Sequence, residues 1–586
     1  MDDRRGLEPL ASGFQPGRPR RIGSWVGLVL LWWAARAATQ RLLHFDAHES
    51  WLAIAGGYSL DALWVTTLWA VCARSPRLAW AVGTLFALRL LDLWAVLWTG
   101  VHMGPVVWFH LDARMWRVAI EQGAPIVVGG GAGLAWMVTR LARRAPSRSE
   151  VSWPVSLLLA VIIGHSVFVP SGAGGLAGLA ELGVVRSWAA HHLPLSAQSR
   201  PVSAEQLARW SRYGWLKRQP RASVEPPLSG LVVIFMESSA SAATQVYEPK
   251  AALKSPGLAS VAAVGVKVRG YRAQASPTHA GLLTSLCGML PSAWPLTAAA
   301  TEPLPTLPNC LPKLVRGAGG ATVFMQGSPL SFTGLDRLAS AMGFDEARGL
   351  DELGTPGRRD TGPWGLYDDA LYDAALRRLR ELANAQRPFL LVVSTTDGHL
   401  PGTIPPGCAP PQLNSRYLAA QHCADASLER FVSRVRAEPR FAQVGVVVTA
   451  DHAPPRVADV AAALPGRPHF ARIPLIIDDR SGRQREIKVV GGQIDLMATL
   501  SPLLGVSVSR GRDLLGSAAP PERVLLARSD RGVVGIGVGE SWRELPRGAL
   551  ERECHRSQFT SVMCDIVAYL DALDAWWFSD ALSRYL

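Results

Sequence analysis

The sequence predicts two kinds of structure in one chain: an N-terminal bundle of five transmembrane helices, then an α/β domain on a mostly parallel central sheet. Three observations lead there. The 586 residues are 48% hydrophobic and 18% charged, with a mean hydropathy of +0.14, whereas ordinary soluble domains are about 25% charged. Long apolar stretches crowd the region before residue 171. From Gly230 onward the pattern changes to short apolar runs alternating with helical stretches. The 55 Gly and 42 Pro follow no period, which argues against both a collagen-like and a disordered chain.

Residues 1–21 read as a basic cytoplasmic N-terminus carrying Arg4, Arg5, Arg18, Arg20 and Arg21. Residues 22–170 form the expected membrane domain, with spans at Ile22–Ala38, Trp51–Cys72, Leu78–Thr99, Pro125–Leu141 and Trp153–Val169. Each reaches the roughly 17 residues that a hydrocarbon core of ~30 Å demands. Arg74 and Arg77 in the second loop and Arg140, Arg143, Arg144 and Arg148 in the fourth balance the basic N-terminus, while the first and third loops mix signs. The positive-inside rule therefore keeps the N-terminus in the cytoplasm, and five crossings put everything after Val169 outside it. Only six of the 60 basic residues are Lys, a proportion that codon bias explains first. The arginines gather at the ends of apolar segments, so a topology signal accounts for them better than nucleic acid does. Asp61, Arg89 and Asp92 fall inside spans, and the i, i+3 pair Arg89 and Asp92 serves either as a helix-locking ion pair or as a headgroup or coupling site.

Residues 171–228 read as an interfacial linker. A helix near Leu182–His192, either lying in the headgroup layer through Trp188, His191 and His192 or serving as a plain amphipathic connector, precedes an extended tether. Residues 229–586 are the extracytoplasmic domain. Strands are expected at Leu231–Met236, Ala321–Met325, Phe389–Ser394, Val444–Thr449 and Ile473–Ile477, whose unbroken apolar character fits parallel strands buried on both faces. Helices are expected at Thr278–Leu286, Gly334–Met342, Tyr367–Ala385, Ser415–Ala437 and Gln493–Leu504. Cys72 lies in a span. Cys287, Cys310, Cys408, Cys423, Cys554 and Cys564 all follow the fifth span, in the compartment where disulfides persist, and pairing between sequence neighbours is expected.

In sheets of this class ligands gather outside the carboxyl ends of the strands. Here the runs end in Glu237, in Gln326-Gly327-Ser328, in Thr396-Asp397-Gly398-His399 and in Asp451-His452. Glu237, Asp451 and His452 offer two carboxylates and an imidazole, a mixed set suited to Mn²⁺, Zn²⁺ or Mg²⁺. Taken alone, the Asp–His pair equally fits a capping Asp beside a solvent-facing His. Thr278 follows Pro277 at a helix start, where backbone N–H groups attract phosphate and an adjacent metal favours the alkoxide. A plain N-cap threonine is the alternative. His399 is either a substrate-phosphate contact, the general acid for the leaving group, or a structural loop histidine.

These residues resemble the membrane-bound branch of the alkaline-phosphatase/sulfatase superfamily, the phosphoglycerol transferases and lipoteichoic-acid synthases. That resemblance implies a sulfatase-like fold for the soluble domain and a single divalent metal, Mn²⁺ foremost, with Zn²⁺ or Mg²⁺ as alternatives. It makes Glu237, Thr278, Asp451 and His452 ligands, Thr278 also the nucleophile, and His399, Gln326 and Trp364 substrate contacts. Trp364-Gly365-Leu366-Tyr367-Asp368-Asp369 and Gln493-Ile494-Asp495-Leu496-Met497-Ala498-Thr499-Leu500 also look like family segments. The implied donor is phosphatidylglycerol, the acceptor a glycan hydroxyl, and the place the periplasmic face of a bacterial inner membrane. Met325 to Gly334, and the helix ending Ser285-Leu286-Cys287-Gly288, look closer to the Gram-negative glucan-decorating members than to the lipoteichoic-acid synthases. Around Pro277 the positions a sulfatase fills with Cys or Ser and with Arg hold Ala275 and His279, which disfavours sulfate ester hydrolysis. A phosphoethanolamine transferase acting on lipid A or glycans would keep the metal and Thr278 and change the headgroup pocket. Members of that kind carry more metal-site histidines, for which His279 and His469 are available. A sulfatase-fold hydrolase is a further alternative. A non-catalytic sensor predicts loss of one of the four ligands, yet all four are present. Residues 505–586, with Trp576 and Trp577, read as a C-terminal cap or membrane-proximal element without assigned chemistry.

Overall fold

The computed structural model of the protein describes residues 202–216 and 228–576, less the short stretches 292–303, 305–306, 308, 332–333, 355–359, 517–522, 530–532 and 557–560. The five expected spans, the ionisable residues within them, the helix near 182–192 and Trp577 lie outside the described residues. Among the described residues no helix is long and apolar enough to cross a membrane.

The strands in chain order are β1 (Gly230–Met236), β2 (Val266–Arg272), β3 (Ala275–Ser276), β4 (Ala321–Gln326), β5 (Glu346–Arg348) and β6 (Phe389–Ser394). They continue with β7 (Val444–Ala450), β8 (Leu475–Asp478), β9 (Arg485–Gly492), β10 (Val524–Ser529), β11 (Val533–Val538) and β12 (Ser541–Pro546). Eight make the central sheet in the order β5-β4-β6-β1-β7-β8-β2-β9. β1 lies in the middle, parallel to β6 and to β7, with every residue buried. The continuous apolar runs thus have the cause expected of them, since helices cover both faces. Helices Pro256–Ala262, Asp368–Asn384 and Arg416–Ala437 pack on one side through residues such as Leu258, Leu371, Leu379, Leu428 and Phe431. Thr278–Cys287, Leu311–Gly317, Leu335–Met342 and Leu496–Leu500 pack on the other through Leu282, Leu286, Leu311, Leu338 and Leu496.

Four expectations need correction or addition. The strand placed at Ile473–Ile477 is β8, Leu475–Asp478, and it runs antiparallel to both its neighbours. The segment from β7 to β8 contains only the six-residue helix Ala458–Ala463, about 9 Å long. After it the chain re-enters the sheet beside the end of β7, with Leu475 opposite Thr449. Strands β2 and β9 were not expected: they flank the sheet's edge, half-buried and interrupted by Lys267, Arg269, Arg485 and Lys488, so no apolar run marks them. The helix expected over Gln493–Leu504 is broken into a 3-10 turn Gln493–Asp495, the helix Leu496–Leu500 and a second turn Ser501–Leu504. Pro502, which lacks an amide hydrogen, interrupts the ladder there. Lastly, residues 204–213 of the expected extended tether are helical. Ser203 and Gln206 close a capping box at the start, and Trp210 and Tyr213 are buried.

A second sheet has the order β12-β11-β10-β3 and carries the helices Arg547–Arg556 and Ser561–Trp576. The cysteines pair as Cys287–Cys310, Cys408–Cys423 and Cys554–Cys564, all sequence neighbours.

Candidate metal centre and active site

Because β1 and β7 are parallel neighbours with Met236 opposite Ala450, the residues that follow them, Glu237 and Asp451, emerge side by side. Ser238 turns the chain sharply with φ 55°, and its N–H donates to Asp451 Oδ1 at 2.9 Å while its hydroxyl donates to Glu237 Oε1 at 2.6 Å. His452 Nε2 stands 3.5 Å from Glu237 Oε1 and 3.4 Å from Asp451 Oδ2. Ligand atoms of Glu237, Asp451 and His452 all lie within 4.8 Å of one another, and all three residues are buried.

The chemistry of these atoms fits a divalent cation. His452 Nδ1 lies 2.9 Å from the carbonyl of Ala453. A carbonyl only accepts, so Nδ1 carries the hydrogen and Nε2 presents its lone pair to the carboxylates, as a metal-binding imidazole does. Asp451 Oδ2 is buried and accepts no hydrogen bond. Burial first, and the facing Glu237 carboxylate second, push the Asp451 carboxyl up to about 7. A cation between the carboxylates would answer both the orphaned oxygen and the repulsion. The two carboxylates, the imidazole and a hydroxyl are a set that Mn²⁺, Zn²⁺ or Mg²⁺ accepts.

That hydroxyl is Thr278. As first residue of the helix Thr278–Cys287 it points Oγ1 at Glu237 Oε2, 3.3 Å away, and at His452 Nε2, 3.5 Å away. The helix can seat this close because Gly281 lacks a side chain: a Cβ there would sit 1.8 Å from the Asp451 carbonyl oxygen. Gln493 completes the clamp. Its Nε2 donates to the same Asp451 carbonyl, and its Oε1 accepts from Gln274 N at 2.8 Å and Ala275 N at 3.2 Å, on the segment leading into Thr278.

The other expected residues form a wall beside this group. His399 stacks on Trp364, ring centroids 3.9 Å apart. Its Nδ1 lies 3.1 Å from the Leu400 carbonyl, which leaves Nε2 as the bare acceptor. Burial lowers its pKa to about 4, and its ring is near enough to His452 and Asp451 to feel both charges. At neutral pH it is a neutral imidazole. The loop bearing it abuts Glu237, whose N donates to Thr395 Oγ1 at 3.0 Å, and a Cβ on Gly398 would stand 2.2 Å from the Glu237 carbonyl oxygen. Gln326 ends β4, buried, and donates to Ser328 Oγ at 2.8 Å. Gly365 (φ 146°) presses on Gly327, where a Cβ would meet the Gly327 carbonyl at 2.1 Å, and so brings the Trp364 segment over the end of β4. His279 is buried, its pKa lowered to about 3 by burial and then by His452. Neither His279 nor His469 belongs to the one metal-ligand group found among the described residues.

Sequence reasoning did not find Ser238, the Gln493 clamp or Gln421, whose Nε2 holds the Glu237 carbonyl at 2.9 Å. Gln493 and Gln421 act on backbone atoms of residues remote in the chain, and Ser238 reaches both carboxylates only through its φ 55° turn, relations no spacing encodes.

Residues 230–506 match the family model for sulfatases. Phosphoglycerol transferase I of Xanthomonas axonopodis pv. citri (strain 306) is 29% identical over 301 residues, 47% of this chain and 42% of that protein. Phosphoglycerol transferase I of Salmonella arizonae is 28% identical over 254 residues, 40% of this chain and 32% of that one. The chain thus spans less than half the length of these curated relatives. A protein of the alkaline phosphatase superfamily from Vibrio parahaemolyticus shares the fold with a TM-score of 0.53 at 20% identity, over 66% of this chain and 98% of that one. The lipoteichoic acid synthase LtaP from Listeria monocytogenes does so with a TM-score of 0.50 at 18% identity, over 65% of this chain and 98% of that one.

Proposed function

Residues 230–506 belong to the sulfatase/alkaline phosphatase superfamily, and from that premise we propose that the chain is a membrane-anchored, metal-dependent transferase. It moves a phosphoglycerol headgroup from phosphatidylglycerol to a glycan hydroxyl on the periplasmic side of a bacterial inner membrane. Glu237, Asp451, His452 and Thr278 hold one divalent metal, Mn²⁺ foremost; Thr278 is the nucleophile, and His399, Gln326 and Trp364 contact substrate. The observation that carries this reading is the Thr278 hydroxyl at a helix N-terminus, 3.3 Å from Glu237 and 3.5 Å from His452.

A bound divalent cation would supply the positive charge that favours the alkoxide at Thr278 and screens the donor phosphate. In the first step Thr278 Oγ1 attacks phosphorus, the bond to the diacylglycerol oxygen breaks, and the proton given up by Thr278 balances the one that oxygen takes. In the second step the acceptor hydroxyl attacks the phosphothreonine, passing its proton to His399 Nε2, and the Thr278 oxygen is released and reprotonated. A neutral His399 with its hydrogen fixed on Nδ1 suits a base better than the general acid that the sequence also allowed. At the helix start the N–H groups of Thr278 and His279 would meet the phosphate oxygens, while those of Ala280 and Gly281 donate to the Pro277 carbonyl. Attachment to the spans, as the sequence predicts them, would keep the domain at high local concentration over its lipid donor.

Incubation of purified full-length protein with headgroup-labelled phosphatidylglycerol or phosphatidylethanolamine tests this. Release of diacylglycerol from the glycerol lipid alone, abolished by Thr278→Ala, is expected. Release from the ethanolamine lipid instead would make the chain a phosphoethanolamine transferase, and equal release by Thr278→Ala would remove the nucleophile.

A further inference from the structure

Two buried carboxyl groups close to the site take no part in the steps above. Asp368, fully buried, opens the helix Asp368–Asn384, and Asp397, 2% exposed, lies two residues before His399. Their hydrogen bonds are reciprocal. Asp368 Oδ1 accepts from Thr396 N at 2.9 Å and from Asp397 N at 3.2 Å, while Asp397 Oδ2 accepts from Asp368 N at 3.0 Å. The same two segments meet again where Thr396 Oγ1 donates to the Leu366 carbonyl at 2.9 Å and where Trp364 stacks on His399. Asp397's own carbonyl accepts from Thr403 N at 2.8 Å, closing the loop behind the imidazole.

The charges bearing on this pair are themselves negative, from Asp369 and Glu237, and burial pushes both carboxyls up. Asp368 Oδ2 has no hydrogen-bond partner. Two buried acids facing one another are an unfavourable way to join a helix to a loop. They are sited where a shift in the loop would move His399, and a wrongly placed base loses most of its effect.

We propose that Asp368 and Asp397 are positioning residues: their reciprocal bonds fix the 395–399 loop so that His399 Nε2 faces the reacting phosphorus. This rests on the role given to His399 above. Asp368 touches neither substrate nor metal, and acts only through the backbone that carries the imidazole.

Kinetics of diacylglycerol release and headgroup transfer by the full-length protein, with melting temperature and bound metal recorded for each variant, test it. His399→Ala is expected to lower kcat by about a hundredfold, and Asp368→Ala to lower it by about tenfold or more with donor KM and bound metal little changed. The double variant should be no slower than His399→Ala alone, since residues acting through one group do not add. Asp368→Asn, whose side-chain oxygen can still accept both amides, should restore most of the rate. Asp397→Ala, which removes only the acceptor for the Asp368 amide, is carried in parallel so that one unfolded variant leaves the test standing. Multiplying losses in the double variant, or full activity in Asp368→Ala or Asp397→Ala, would overturn the proposal while leaving His399 its role. Wild-type activity in His399→Ala would instead remove the role of His399, and the proposal with it.

Discussion

Which nitrogen carries the hydrogen decides what each histidine at this site can do. At His452 the Ala453 carbonyl, and at His399 the Leu400 carbonyl, hold the hydrogen on Nδ1. One free Nε2 then faces two carboxylates and the other stands ready to take a proton. Asp451 contributes one pH-dependent part of the metal-free protein's stability, beside Asp368 and Asp397, which act in the same direction, and His279 and His399, which act in the opposite one. The Asp451 carboxyl ionises near 3.9 when unfolded but near 7 in the fold, through burial and Glu237. Between those values the unfolded chain has given up a proton that the native state keeps, so this contribution falls as pH rises from about 4 to about 7. Across that window the chelated wild type is therefore expected to lose more melting temperature than chelated Asp451→Asn, which has no carboxyl to ionise, with Mn²⁺ restoring the wild type most at the upper end. Equal pH slopes for the two chelated proteins, as differential scanning fluorimetry in matched buffers would reveal, would contradict the assignment. Glu237, Asp451 and His452 were legible in the sequence because each closes a buried apolar run. The tautomers were not, since they depend on carbonyl directions that only the turn after each strand fixes.

At the level of elements, the helix Thr278–Cys287 is aligned by contact with a loop more than 160 positions away. Gly281 makes that contact possible, since any side chain would overlap the Asp451 carbonyl. Gly281→Ala is expected to push the helix off the strand end and weaken Mn²⁺ affinity by about tenfold or more, the scale of a disturbed supporting shell. Isothermal titration checks this, and unchanged affinity in a folded variant would show that the helix does not depend on this contact. Strands β1, β4, β6 and β7 were readable because helices on both faces make them apolar throughout. β2 and β9 were not, because half-buried positions alternate with charges. The direction of β8 follows from where the chain re-enters the sheet, with Leu475 opposite Thr449, and apolar pattern carries no information about direction.

On the scale of the described molecule, the C-terminal region for which the sequence offered no chemistry is coupled to the segment leading into Thr278, the proposed nucleophile. β10 pairs with β3, Arg528 opposite Ala275 and Ser529 opposite Ser276, directly before Pro277 and Thr278. The same region receives the chain where it enters the domain. Trp215 Nε1 donates to the Val524 carbonyl at 2.9 Å, Tyr569 meets Trp210 edge-on and Trp215 at a tilt, and Arg209 grips Asp565 through Nε at 2.7 Å and Nη2 at 2.9 Å. Arg209→Ala leaves Asp565 buried with only the Tyr213 hydroxyl near it, and is expected to destabilise the domain by about 1–3 kcal/mol. A denaturation midpoint equal to wild type would show the pair to be dispensable. The five spans expected from length and charge lie outside the described residues; the tie between residues 210–215 and the helix Ser561–Trp576 was not legible, because it rests on aromatic contacts more than 340 positions apart.

The central claim is that Thr278, gathered with Glu237, Asp451 and His452 about one cation, attacks the donor phosphate. Mass spectrometry of the peptide bearing Thr278, after rapid quenching of enzyme turning over phosphatidylglycerol without acceptor, tests it most directly. The expected result is one glycerophosphoryl group on Thr278, absent after chelation. An unmodified Thr278 in enzyme that has accumulated diacylglycerol, or the group found on another residue, would contradict it.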